Sequence, residues 1–296
     1  MPTDPSNRLA LVTGAGGFIG SHLTELLLRE GWSVRALVRY NSRAGRGWLD
    51  DLPAAAAANL EVVQGDVRDP FQMQAAVEGC DVIFHLAALI GIPYSYVAPQ
   101  SYVDTNITGT INLLQAARSA GVRRFIHTST SETYGTAQYT PIDEQHPLQG
   151  QSPYSASKIA ADKLVESYFC SFELPAITVR PFNTYGPRQS ARAVIPTIIS
   201  QALKSKEVHL GSLTPVRDLT YVTDTAAGFL AAANAPDSAL GTVYNLGTGE
   251  AVTIGELAET IFALLGGGYR IITDEQRVRP GKSEVMALIS NNRRSR

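Results

Sequence analysis

The sequence predicts an α/β protein built on a doubly wound parallel sheet, with a smaller C-terminal lobe. Three observations predict it. Short apolar runs alternate with longer segments of helical periodicity, the sequence form of repeated βαβ units. The first run leads straight into a glycine-rich turn and a helical pattern. Beyond about Pro181 the alternation gives way to frequent Pro and Gly (Gly186, Pro187, Pro196, Gly211, Pro215).

Residues 9–13 form a continuous apolar run that stops at glycine, so they read as the first buried strand. Residues 18–30 carry apolar side chains at helical spacing. Further buried strands are expected at 34–38, 60–63, 81–86, 124–128 and 177–180. Helices at 71–78, 103–120 and 155–172 fill the gaps. The Ala-rich stretch 53–59 reads as a surface helix or loop. After residue 180 the elements become irregular, and 242–246 is again strand-like. The expected division is therefore 1–180 and 181–296, the second part interleaved with the sheet.

The chain has 296 residues, 44% of them hydrophobic, enough for a sizeable core. With 25 basic and 27 acidic side chains the net charge is -2, which gives no general pull toward nucleic acid or anionic membrane. Cys80 and Cys170 lie in no CxxC pair or His/Cys cluster, as expected of a reducing cytoplasm without structural zinc. Met1 to Arg8 is polar, unlike a secretory signal. The longest apolar stretch, 82–93, is interrupted by His85 and Gly91 and is too short to span a bilayer. Arg293, Arg294 and Arg296 are too few to hold a nucleic acid and read as a frayed end. A cytoplasmic protein is expected.

The turn Gly14-Ala15-Gly16-Gly17-Phe18-Ile19-Gly20 joins a strand to a helix N-terminus. That context aims backbone N–H groups and the positive helix end at a pyrophosphate. Gly14 and Gly17 permit the turn and a close approach; Gly20 lets helix and strand pack. Residues 1–180 are thus expected to be an NAD(P)-binding domain of Rossmann type. An acid at the end of the second strand would select NAD, but no Asp or Glu occurs between Glu30 and Asp50. Arg35, Arg39, Arg43 and Arg46 stand there instead, and Arg39 at the strand end would meet a 2′-phosphate, leaving NAD and NADP both open. Asp66, beside Val67, is placed to accept from an adenine amino group. Leu86, Ala87 and Ala88 end the fourth strand, where small side chains admit the nicotinamide half.

Tyr154 and Lys158 lie four apart on a predicted helix, hence on one face. A free tyrosine has a pKa near 10, and acting as a base near pH 7 requires lowering it by about three units. Lys158 and a positive nicotinamide ring would supply that field. The spacing alone is a weak signal; after a glycine turn of this kind it is a strong one.

The glycine turn, Tyr154/Lys158 and Arg180-Pro181-Phe182-Asn183-Thr184-Tyr185-Gly186-Pro187-Arg188 together resemble the extended short-chain dehydrogenase/reductase family of nucleotide-sugar enzymes. The resemblance covers essentially the whole chain. It implies a Rossmann domain and a small lobe for a nucleoside-diphosphate sugar; because members usually continue further, part of that lobe is expected to be absent. It also implies a homodimer, packed through helices at 103–120 and 155–172. In His127-Thr128-Ser129-Thr130-Ser131-Glu132, Thr130 matches the residue that hydrogen-bonds the sugar 4-hydroxyl. Glu132 matches the carboxylate that takes the C5 proton in 4,6-dehydratases. Ser131 stands where enzymes of the dTDP-glucose type carry an Asp, whereas GDP-mannose dehydratases show Thr-Ser-Glu as here, so Glu132 would serve both steps. UDP-glucuronate decarboxylases also show this triplet.

The stretches 128–157, 180–196 and 210–217, with 34–42, are similar to the dehydratases of the legionaminic acid pathway. That likeness implies conversion of UDP- or GDP-N-acetylglucosamine to its 4-keto-6-deoxy form. It also implies Arg188, Arg217 and Arg279 as cations for the substrate diphosphate, which suits the planar guanidinium fork, and Asn183 as a substrate-side donor. Asp218 stands beside Arg217 and is able to neutralise it. The alternatives are a decarboxylase, a nucleotide-sugar 4-epimerase and, in another class, a dinucleotide-sensing protein without chemistry.

Overall fold

The computed structural model describes residues 8–41, 45–53, 58–275 and 281–296. The first six strands are β1 (Leu9–Thr13), β2 (Ser33–Arg39), β3 (Leu60–Gly65), β4 (Val82–His85), β5 (Arg124–Thr128) and β6 (Ala176–Pro181). Then come β7 (Asn183–Tyr185), β8 (Glu207–Leu210), β9 (Val216–Tyr221), β10 (Val243–Leu246), β11 (Ala251–Thr253), β12 (Arg270–Thr273) and β13 (Ala287–Leu288). The helices are α1 (Phe18–Arg29), α2 (Pro70–Val77), α3 (Ile92–Val97), α4 (Pro99–Tyr102), α5 (Gly109–Ala120), α6 (Pro153–Phe172), α7 (Val194–Ala202), α8 (Val222–Asn234) and α9 (Ile254–Leu264).

Seven parallel strands form the main sheet in the order β10-β6-β5-β4-β1-β2-β3. Successive strand residues face opposite sides. Ala10 and Val12 face a core with Leu23 and Leu27 of α1 and Phe229 of α8. Leu11 between them faces Met73 of α2, Leu113 of α5 and Val165 of α6. Helices therefore cover both faces, which is why these strands read as continuous apolar runs. The strand order reverses between β1 and β4, and a crevice opens there at the carboxyl ends.

After β6 the chain builds a separate apolar cluster in which Ile198 of α7 and Ile261 of α9 pack on Val208 of β8. β10 then rejoins the main sheet beside β6. The remaining strands form a four-stranded group around β9 and a β8–β12 pair.

Two elements differ from expectation. The helix expected at 103–120 opens with a π turn, Val103–Thr108, before α5. Its Asn106 side chain donates to the Leu89 carbonyl (3.0 Å) and Ser157 Oγ (2.9 Å) and accepts from the Leu89 N–H (2.8 Å). The wider turn delivers that amide to two neighbouring segments, a use typical of π bulges. The helix expected from 155 begins at Pro153, because Ser152 caps it in a reciprocal box with Ser155 and proline suits the first helical position. Residues 54–57, within the Ala-rich stretch, lie outside the described residues. Among the described residues, no helix is long and apolar enough to cross a membrane.

Candidate active site

A cavity of about 670 Å³ runs along the crevice. Leu86 and Ala87 of its lining are held by buried Thr13, whose Oγ1 accepts from their backbone N–H groups (both 3.1 Å). Thr110 donates to the Asn106 carbonyl (2.6 Å), so its oxygen accepts from His85 Nε2 (3.0 Å). His85 Nδ1 is then the acceptor for the Thr13 hydroxyl at 2.9 Å. Burial holds the His85 pKa well below the usual histidine value, so the ring stays neutral, as this chain of bonds requires.

Gly14 has φ +69°, and a Cβ there would lie 2.9 Å from the Ala87 nitrogen. At Gly20 a Cβ would meet the Gly14 carbonyl oxygen at 2.2 Å, so α1 sits directly on the turn. Gly17 is extended rather than left-handed, and its role is the close approach. As N-cap of α1 it has no side-chain cap bond, and no acid occupies the first turn. These backbone cradles and the positive helix end fit a dinucleotide diphosphate. The sequence reading passed over a second clasp. Trp48 N–H donates to the Gly16 carbonyl (3.1 Å), and Cβ atoms at Gly16 and Gly47 would each press on the other segment's backbone. The visible signal was the glycine at 47 in a basic loop.

Gly14, Gly17, Phe18, Ile19, Gly20, Arg39, Asp66, Val67, Leu86, Ala87 and Ala88 all line the cavity. Asp66 is engaged: Arg68 Nη2 lies 2.5 Å from its Oδ2, and this pairing holds the carboxyl below the usual range. Arg46 is paired with Asp50 (2.8 Å). Arg39 is exposed at the end of β2.

Farther along the same cavity come Thr130, Ser131, Glu132, Tyr154, Lys158 and Asn183, contributed by the turn after β5, α6 and β7. Thr130 caps a short 3₁₀ turn, Ser131–Tyr134, accepting from the Glu132 N–H (3.3 Å). Burial raises the Tyr154 phenol above its ordinary value; the Thr130 hydroxyl opposes that rise, while Glu132 and Asp162 add to it. Burial lowers the Lys158 ammonium to about 8, and Asp162 opposes that fall.

Two of the three expected phosphate contacts are paired with carboxylates. Arg188 has φ +68° and pairs with Glu25 of α1 (3.0 Å), away from the cavity lining. Arg217 is buried, donating to the Val216 carbonyl (3.0 Å) with Glu284 at 3.5 Å. Its neighbour Asp218 instead accepts from the N–H groups of Thr248, Gly249 and Ser290. Arg279 lies outside the described residues. Gln189 and Ser190, which the sequence reading did not single out, do line the cavity.

The family model for GDP-mannose 4,6-dehydratase matches residues 11–295. The low-salt glycan biosynthesis protein Agl12 of Haloferax volcanii is 35% identical over 87% of this chain and 82% of its own length. The structure of a DesIV double mutant, a dTDP-glucose 4,6-dehydratase from Streptomyces venezuelae with NAD and DAU bound, superposes with a TM-score of 0.86 at 30% identity, covering 97% of this chain and 89% of that one. A UDP-glucuronic acid 4-epimerase variant from Bacillus cereus, in complex with a fluorinated UDP-glucuronic acid and NAD, superposes with a TM-score of 0.89 at 27% identity, covering 97% and 91%.

Proposed function

The chain belongs to the GDP-mannose 4,6-dehydratase family of extended short-chain dehydrogenase/reductase enzymes, and from that premise we propose that it is an NAD-dependent 4,6-dehydratase of UDP- or GDP-N-acetylglucosamine. One observation carries the choice of a dehydratase over a 4-epimerase: Glu132 lines the same cavity as Thr130, Tyr154 and Lys158. A 4-epimerase has no step for a carboxylate at that position.

When bound, the dinucleotide supplies a hydride acceptor for sugar C4 and the donor that later reduces C6. Thr130 holds the 4-hydroxyl through its own hydroxyl. Tyr154 takes the 4-hydroxyl proton, and because burial pushes its phenol up, it relies on positive charge from Lys158 and the oxidised cofactor to do so. The resulting 4-ketone acidifies C5, and Glu132 removes that proton. With serine at 131, Glu132 also protonates the departing 6-hydroxyl. C5–H and C6–OH leave together as water; the hydride taken from C4 returns to C6 and a solvent proton re-forms C5–H, so there is no net oxidation. Asn183 is the substrate-side donor. The cations of Arg188 and Arg217 are engaged with Glu25 and Glu284, so as phosphate ligands they would have to exchange partners. The protein acts as a homodimer through α5 and α6, which light scattering of the purified protein tests.

The test of the reaction is product mass after incubation with UDP- and GDP-N-acetylglucosamine separately. Loss of one water supports the reading and identifies the nucleotide. Unchanged mass with C4 inversion would make it an epimerase. Loss of carbon dioxide from UDP-glucuronate would make it a decarboxylase.

A further inference from the structure

Beyond Lys158 along α6 lies a buried polar cluster that the steps above leave without a role. Asp162, one helical turn beyond Lys158 on α6, accepts from Ser129 Oγ (2.6 Å) and Arg180 Nη2 (2.7 Å) at one oxygen, and from His127 Nε2 (3.1 Å) at the other. All of these residues and Lys158 are buried. Arg180 also donates to Ser129 (3.2 Å) and stacks over the Tyr134 ring at 4.6 Å.

The charges in this cluster do not balance evenly. The titratable and charged groups of Lys158, the cluster and the adjoining cavity wall are Tyr154 and Asp162 on α6, His85 on β4, His127 on β5, Arg180 on β6 and Glu132 in the turn after β5. Both histidines are held neutral by burial, His127 at about 4. The cluster together with Lys158 therefore contains two cations, Lys158 and Arg180, and one anion, Asp162. Buried charge is tolerated only with a partner. An isosteric loss of the Asp162 charge would leave two cations sharing a low-dielectric site, and only Lys158 is able to shed its proton.

We propose that Asp162 is a positioning residue for the reaction: bonded to Arg180 and one turn of α6 from Lys158, it is the buried counter-charge that keeps Lys158 protonated beside Tyr154. Ser129 and His127 hold the carboxylate in place. This rests on Tyr154 and Lys158 acting in hydride-coupled proton transfer at C4, a step common to the dehydratase and its alternatives, so it does not depend on which product leaves.

The chain has five lysines: Lys158, Lys163, Lys204, Lys206 and Lys282. In protein labelled with 13C at the lysine ε-carbon, Lys158 is assigned by its loss in Lys158→Met and titrated directly. In Asp162→Asn, which keeps the shape and most hydrogen bonds, the Lys158 midpoint falls by about one to three units. The alkaline limb of kcat falls with it, for whichever nucleotide sugar is turned over. Asp162→Glu restores both toward the wild-type values. An unmoved Lys158 midpoint overturns the proposal, and so does a midpoint that moves while the kcat limb stays. If Asp162→Asn fails to fold, Arg180→Met removes the competing cation and the Lys158 midpoint rises; no rise would equally overturn it. Loss of the dehydrated product in mass analysis is a separate result and bears on the reaction assignment alone.

Discussion

Replacing Gly20 by alanine tests the cofactor cradle. The new Cβ would stand 2.2 Å from the Gly14 carbonyl oxygen, 2.9 Å from its carbonyl carbon and 3.0 Å from Ala15 Cα. All three are backbone atoms of the turn, so no side chain is able to rotate away. Relieving the oxygen contact alone needs a shift of roughly 1 Å between α1 and the turn, against cores that pack tightly on both sides. Overpacking of this kind costs about 1–3 kcal/mol. The displaced helix N-terminus also no longer faces the diphosphate at the original distance. The expected result is a lower melting temperature together with a loss of NAD affinity, read by thermal unfolding and titration calorimetry. Gly31→Ala is the control: φ there is +81° but a Cβ meets nothing within 4 Å. It costs about 1–2 kcal/mol through backbone strain and leaves NAD affinity unchanged. If Gly20→Ala bound NAD as tightly as wild type, the proposed close seating of helix on turn would be wrong.

Tyr154→Phe keeps the ring packing with Tyr102 but removes the phenol; kcat should fall by roughly 10²–10⁴-fold with NAD binding intact, as steady-state kinetics and calorimetry will show. Lys158 is lowered to about 8, so kcat should decline as pH rises through about 8, where its charge is lost; a profile flat to pH 10 would contradict that role. Stability should respond in a defined direction at the acid end. His127 is lowered to about 4 while an unfolded histidine titrates near 6.5, so between these values the unfolded chain binds the extra proton. Denaturant midpoints should therefore fall as pH drops from about 6.5 toward 4, and His127→Asn should flatten that slope.

Much of the sheet was legible because a doubly covered parallel strand has to be apolar throughout. β1, β2, β4 and β5 announce themselves in this way, and the glycines after β1 have a mechanical reason that the Cβ contacts at Gly14 and Gly20 make concrete. Hydropathy does not encode the π turn before α5, from which the Asn106 amide bonds Leu89 and Ser157, far away in sequence. The small sheets around β9 and β8 depend on pairings between segments tens of residues apart, such as Ala251 with Asp218. In the site, Tyr154, Lys158 and Glu132 were legible because helical spacing and neighbouring motifs constrain them. The carboxylate partners of Arg188 and Arg217 were not legible. An isolated cation finds whichever carboxylate the fold brings near, Glu25 for Arg188 and Glu284 for Arg217. Asp162 did leave a signal, standing four residues after Lys158 on the same helical face. Its meaning emerges only when His127 and Arg180 close around it from β5 and β6.

The measurement closest to the central claim follows the fate of the sugar in Glu132→Gln, loaded with NAD and supplied with whichever N-acetylglucosamine nucleotide the wild type dehydrates. Oxidation at C4 does not use this carboxylate, so the variant should still reduce bound NAD on mixing, seen as the rise of the reduced-nicotinamide absorbance. Water loss should slow by roughly 10²–10⁴-fold, with the 4-keto sugar accumulating at unchanged C6. Dehydrated product formed at the wild-type rate would contradict the assignment of Glu132 as the group that takes the C5 proton.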